Sequence, residues 1–216
     1  MFYALCRGAT AEERSALRLP PPEALASFAY LGGSGCVDVP GRDDGAVLAA
    51  LRGAMAAVGV DEGTQAGFVL PALAAVLHLG NVGFCPLSED ASAVDPASAP
   101  ALLAAAELLG VAPPALEAAL TSRRLAAGGE TVVAALSAAA AAHNRDALAK
   151  GIYASLFGWL VERVRQGLEA GCAVRVYDGP GRRSVATAGV LPAAPGAGAA
   201  AACGRFSAAL VCPCCR

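Results

Sequence analysis

The chain has 216 residues, enough for one sizeable domain, and 56% of them are hydrophobic, with alanine the largest single share. Alanine favours helix but offers little surface to bury, and aromatics are only 5%, so a mainly helical chain with few large anchors is expected. A formal charge of −2 argues against a nucleic-acid partner. The charge is uneven. Residues 171–216 hold five arginines against one aspartate, a net +4, which leaves −6 for residues 1–170. The chain therefore divides at about residue 170, and 171–216, rich in Ala, Gly, Pro and Cys, reads as a low-complexity or disordered tail with one strand at Ala173 to Tyr177.

In chain order, Phe2 to Cys6 reads as a helix stopped at Gly8. Thr10 begins a second, with Glu13 three residues on completing a capping box. Pro20, Pro21 and Pro22 make a stiff link, and Leu31 to Gly41 is a glycine-rich loop. Asp43 or Asp44 caps a helix to Val58, with Val47, Leu48, Leu51, Met55 and Val58 at helical spacing. The next helix runs from Asp61 to Leu79, with Pro71 expected to kink it. Val82 to Pro100 reads as a surface loop with a short strand at its start. Two short helices flank Gly110, and Arg123 to Gly129 is a loop. From Thr131 the pattern stays helical to about Leu168. Leu148, Ile152, Leu156, Leu160 and Val164 form one stripe of that last helix. Tyr153, Phe157 and Val161 broaden it, and Asp146 with Lys150 forms an i,i+4 ion pair.

Periodicity alone says only that this is a buried helix. Its wording says more. Arg145, Asp146, Leu148, Ala149, Lys150, Tyr153, Leu156, Phe157, Trp159, Leu160 and Val161 match R-D-x-L-A-K-x-x-Y-x-x-L-F-x-W-L-V. Upstream, Leu73, Ala74, Ala75, Leu77, His78, Leu79, Gly80, Asn81 and Phe84 match A-A-x-L-H-L-G-N-I-x-F and its flanks. Both blocks resemble the myosin motor head. Weaker echoes stand in the family's order at Phe2 to Ala9, Phe28 to Cys36, Ala54 to Val60, Leu103 to Gly110 and Gly129-Glu130.

The resemblance covers about residues 2–168 and corresponds to the upper-50-kDa part of such a head, between switch I and switch II. It implies the mainly α, helical portion of the P-loop motor fold, with a short β-hairpin at the second of its actin-facing loops. It also implies an ATP-dependent actin motor, cytoplasmic and cytoskeleton-associated, with actin filaments and the rest of the head as partners and ATP with Mg²⁺ as cofactor of the complete head. Its actin-facing loops fall on Val82 to Pro96 (loop 4) and Thr121 to Thr131 (the cardiomyopathy loop). Arg123, Arg124 and Glu130 are the candidate actin contacts. His78, Gly80, Asn81, Arg145, Asp146, Lys150, Tyr153, Phe157 and Trp159 are signature residues of structural role.

Catalytic groups are not expected. A P-loop requires G-x-x-x-x-G-K-[ST], and the single lysine, Lys150, follows an alanine in mid-helix. Switch I would precede Phe2. Where switch II would follow, only Asp178 and Gly181 keep its D-x-x-G spacing, with Arg182 and Arg183 replacing Phe and Glu. No nucleotide site and no ATPase activity are therefore expected of this chain. A helical interaction module with weak actin affinity, or a truncated reading frame, are the alternatives.

Other constellations are weaker. His78 and His143 are the only histidines, and His78 is expected to meet free carbonyls at its helix end. Cys203, Cys212, Cys214 and Cys215 lack paired C-x-x-C spacing, so no metal is expected, and Cys6, Cys36 and Cys85 read as free thiols. Charged residues at Arg7, Glu12, Glu13 and Arg14 argue against a leader, and no apolar window is expected to span a membrane, which suits a soluble intracellular protein.

Overall fold

The structure, a computed structural model, describes residues 1–33, 35, 41–127 and 130–169. The candidate switch II residues Asp178 and Gly181, the 173–177 strand, the tail cysteines and Cys36 lie outside the described residues.

Nine α-helical segments and two hairpins are described: α1 Phe2–Gly8, α2 Ala11–Ala16, α3 Ala29–Gly32, α4 Asp44–Ala57, α5 Glu62–Thr64, α6 Leu70–Gly80, β1 Phe84–Pro86, β2 Ser92–Val94, α7 Ala99–Leu109, α8 Pro113–Thr121, β3 Ser122–Ala127, β4 Glu130–Ala135 and α9 Ala138–Glu169. The mainly helical architecture agrees with the composition.

Local signals set most boundaries. Thr10 Oγ1 accepts from Glu13 N at 3.2 Å while Thr10 N donates to Glu13 Oε2 at 2.9 Å, the expected capping box. Asp43, not Asp44, caps α4 by accepting from Ala46 N, and Asp61 caps α5 through Thr64 N. Gly110 ends α7 at φ 66, a left-handed turn that glycine adopts without a Cβ clash.

The core is organised on α6. Every residue of it except Pro71 is buried, so this helix is apolar all round because it is packed all round. It lies against α7 and α9. Leu73, Leu77, Leu79, Phe28, Leu25 and Leu5 are among the largest fully buried side chains. Contrary to the expectation from sequence, Glu62–Gly80 is apolar and long enough, at 19 residues, to cross a membrane by length and composition; 67% of its apolar window is buried inside the protein, as in a core helix.

Pro71, expected to kink this helix, is accompanied by a local widening of it. Just before it, Gln65–Val69 widens into a π-turn, and Leu70 N–H reaches back five residues to the Gln65 carbonyl. A proline lacks the N–H of the ladder and crowds the carbonyl four residues earlier. The wider turn absorbs that misfit, and Pro71 then sits in the first turn of α6, where its missing donor costs little.

Three further expectations change. Residues 122–127 are a strand rather than the loop read from the residue pattern, and they pair antiparallel with 130–135 as the short hairpin that the resemblance implies at the second actin-facing loop, so 131–135 are not the start of the last helix. That helix begins at Ala138. A second hairpin, Phe84–Pro86 with Ser92–Val94, replaces the single short strand foreseen after Val82. Val47, placed on the apolar face of α4 by spacing, is 37% exposed, whereas Leu48 and Met55 are buried.

Candidate functional site

The signature residues at the end of α6 and the start of α9 meet in one polar node. Gly80 is buried, and the ring of Tyr30 lies directly on it: a Cβ there would stand 2.7 Å from Tyr30 Cδ2 and 2.8 Å from Cε2. The ring is held in turn by its hydroxyl, which donates to Asp146 Oδ1 at 2.6 Å. Asn81 uses both ends of its amide: Oδ1 accepts from Ala29 N at 2.8 Å and Nδ2 donates to Ser27 O at 3.0 Å. Asn81 thereby ties the end of α6 to the chain entering α3.

Arg145 adds the next link. Its guanidinium pairs with Asp146 at 2.7 Å and also donates to the Val82 carbonyl at 2.8 Å. Asp146 is thus engaged by Tyr30 and Arg145, and the foreseen Asp146–Lys150 ion pair gives way to them. Lys150 is exposed and acts on the carboxylate only as a nearby charge. Partial burial alone would raise the Asp146 pKa, but the bonds from Tyr30 and Arg145 outweigh it and hold the carboxyl below its ordinary range. Burial, then the Asp146 bond and charge, push the Tyr30 hydroxyl up to about 12.

His78 lies one turn earlier on α6 and is 7% exposed. Its Nε2 meets the Leu17 carbonyl at 3.1 Å, and its ring stands edge-on to Phe28 at 5.4 Å. It meets a free carbonyl as foreseen, but that carbonyl belongs to the end of α2 and not to its own helix. Burial, more than the Leu17 bond can offset, lowers its pKa and keeps the ring neutral. An open groove of about 630 Å³ runs past it between Arg18, Phe28, Asn81, Leu103 and Glu107. The imidazole is already committed to Leu17, and Arg18 is paired with Glu107 at 2.9 Å, so the groove offers no set of free catalytic groups.

Both loops foreseen as actin-facing are hairpins, and their roots are joined. Val82, at the entry to β1–β2, is held by Arg145. Asn144 Nδ2 donates to the Ala119 and Leu120 carbonyls at the end of α8, just before β3. Ser92 on β2 is 8% exposed, and its hydroxyl donates to Leu136 O at 2.8 Å, immediately after β4. Arg123 and Arg124 are exposed, with Arg123 opposite Ala134 and Arg124 opposite Val133. Adjacent strand positions alternate faces, so the two arginines point to opposite sides of the ribbon rather than forming one patch. Glu130 pairs in register with Ala127 near the turn. Val132 and Val133 are 50% and 62% exposed.

The rest of α9 divides differently from the sequence pattern. Ile152 and Leu156 are buried and Leu148 and Leu160 partly so, but Val164 is 37% exposed. Tyr153, Phe157 and Val161, foreseen as broadening the buried face, are 42%, 59% and 51% exposed. Tyr153 touches Phe2 at 5.7 Å between ring centres. Trp159 stands edge-on to Phe68 at 5.0 Å, with the Arg163 guanidinium over its ring. Cys6 is buried, which drives its thiol up to about 12, and among the described residues no group of three His, Cys, Asp or Glu is placed to hold a metal ion.

These elements carry a known pattern. The family model of the myosin head (motor domain) matches residues 1–177. The chain belongs to the myosin head family. It is 38% identical over 170 residues to unconventional myosin-Va of Rattus norvegicus, covering 79% of this chain and 9% of that protein. It is 37% identical over 175 residues to myosin ID heavy chain of Dictyostelium discoideum, covering 78% of this chain and 15% of that protein. A myosin-1 of Malassezia globosa is 39% identical over 176 residues, covering 79% of this chain and 13% of that protein. The chain thus spans roughly a tenth of the length of the myosins it matches, so it represents part of a motor domain.

The family wording marked Gly80, Asn81, Arg145 and Asp146, and their places in the myosin fold give each a physical task. Tyr30, Asn144 and Ser92 were missed as partners. The first two stand within or beside the matching segments, but nothing in the spacing announces residues to which they would bond.

Proposed function

We propose that this chain supplies an actin-facing part of a cytoskeletal motor head, contacts the filament weakly by itself and turns over no ATP alone. The observation that carries the reading is the β3–β4 ribbon of a myosin head segment, with Arg123 and Arg124 exposed on one strand and Val132 and Val133 exposed on the other. Cationic and apolar side chains on one projecting ribbon suit an acidic filament surface. Because the two arginines face opposite sides, they act at two places on the partner and not as one cluster.

The absence of turnover rests on residue chemistry. The phosphates of ATP with Mg²⁺ require backbone amides of a glycine-rich loop and a lysine at its end. Lys150, the one lysine, is exposed in the middle of α9. The residues present do not fit the nucleotide, and ATP is assigned to the complete head. Cytoplasmic, cytoskeleton-associated residence follows from the same reading.

Co-sedimentation with filamentous actin tests it. Binding that weakens as salt rises, and that drops severalfold in Arg123→Ala and again in Arg124→Ala, is the expected result. Binding unchanged in the double variant would refute the role of the ribbon, and actin-activated phosphate release by the purified chain would refute the second clause.

A further inference from the structure

We infer that the second turn of α9, through Asn144 and Arg145, is the positioning element for both hairpins, so that the β1–β2 and β3–β4 ribbons are presented as one body. Asn144 and Arg145 are adjacent and reach in two directions. Asn144 closes on the last carbonyls of α8 at 2.8 Å and 3.2 Å, which sets the exit into β3. Arg145 closes on Val82 O at 2.8 Å, which sets the entry into β1. The Ser92–Leu136 bond then links the far strand of the first hairpin to the residue leaving the second, and Leu136 N returns to Thr121 O at 2.8 Å. Each ribbon root is therefore fixed twice, once to α9 and once to the other ribbon.

The arrangement has a geometric consequence. Carbonyls at the end of α8 and after α6 lack helical partners and must be satisfied from elsewhere. Side chains of a single turn satisfy both, and the Ser92–Leu136 bond joins the two roots directly, so a shift of either root strains the turn or the bond that it shares with the other. Among the described residues, Asn144 and Arg145 bond to the ribbon roots. They are positioning residues, acting on Arg123 and Arg124 through the backbone they hold. The functional half of this inference rests on the proposed actin-facing role; the mechanical half does not.

Backbone amide exchange of the whole chain, with actin co-sedimentation beside it, separates the two. Asn144→Ala removes bonds to α8 only, two of them, yet it is expected to speed exchange at least about fivefold in Phe84–Val94 as well as in Ser122–Ala135, since one lost hydrogen bond is worth roughly that factor. Ser92→Ala is expected to speed exchange at both roots, and Ser92→Thr, which keeps the hydroxyl, to restore the parent rate. Actin affinity falls with the Ala variants and returns with Ser92→Thr, while the exchange of α6 stays at the parent rate. Asn144→Ala loosening only Ser122–Ala135, with Phe84–Val94 unchanged, would overturn the coupling. Coupled exchange in a chain that does not bind actin supports the mechanical link and removes the actin reading. Loss of actin affinity in Ser92→Ala that Ser92→Thr does not restore would overturn the positioning role of that hydroxyl.

Discussion

Replacing Gly80 by alanine should cost stability, although it removes a glycine from a helix end. On propensity alone the change would be favourable, by up to about 1 kcal/mol. The structure reverses the sign. The new methyl would lie 2.7 Å, 2.8 Å and 3.0 Å from three ring atoms of Tyr30. These are not the far end of a flexible side chain. The ring is anchored beyond them by the bond from its hydroxyl to Asp146. Relief requires the ring to move away, which gives up that bond or strains α3. Overpacking of this kind costs about 1–3 kcal/mol, and a hydrogen bond to a charged group adds about 1.5–3 kcal/mol when it is lost. Tyr30 is 40% exposed, so water replaces much of the second quantity. A net loss of about 2 kcal/mol remains, or roughly 4–8 °C in a chain of this size. Thermal unfolding followed by circular dichroism measures it, together with Tyr30→Phe alone and in the Gly80→Ala background. Tyr30→Phe should destabilise the parent but change little once Gly80→Ala has displaced the ring. A Gly80→Ala variant that melts at or above the parent temperature, or full additivity of the two changes, would refute the reasoning.

Other outcomes follow from the same geometry. Burial depresses the His78 pKa, so its contribution is complete above the unfolded value of about 6.5 and is lost as pH falls below that and through the folded value. Urea midpoints between pH 8 and pH 5 should decline, and His78→Gln should flatten the decline; an unchanged slope would show that the ring does not remain neutral in the fold. The exposed face of α9 should make the isolated chain associate. Changing Phe157 and Val161 to Gln is expected to reduce light scattering and dye binding while moving the melt by less than about 0.5 kcal/mol, and a large loss of stability would mean these side chains are packed after all. Thr10→Ala removes one half of the capping box and should cost about 1 kcal/mol, read as a lower urea midpoint with unchanged slope.

Several elements were legible in the residues because both partners of the deciding interaction lie within one turn. The Thr10–Glu13 box, the Asp43 and Asp61 caps and the Gly110 stop each join positions three or four apart, so spacing announces them. The wording of residues 73–84 and 145–161 likewise carries the family by itself. Tertiary structure decided the rest. Ala29–Asn81, Val82–Arg145 and Tyr30–Asp146 are bonds across 52, 63 and 116 residues, and no local pattern pairs such positions. Asp146 had a plausible partner four residues away in Lys150, and packing supplied better ones in Tyr30 and Arg145. Pro71 announced a disturbance of its helix, and only the structure shows that a widened turn at Gln65–Val69 goes with it. The apolar stripe of α9 shows the same division. Periodicity establishes that Leu148, Ile152, Leu156, Tyr153 and Phe157 are apolar on one broad side, because a helix repeats every 3.6 residues. Only packing divides that side into residues covered by α6 and residues left facing water, since burial belongs to the neighbour as much as to the helix itself.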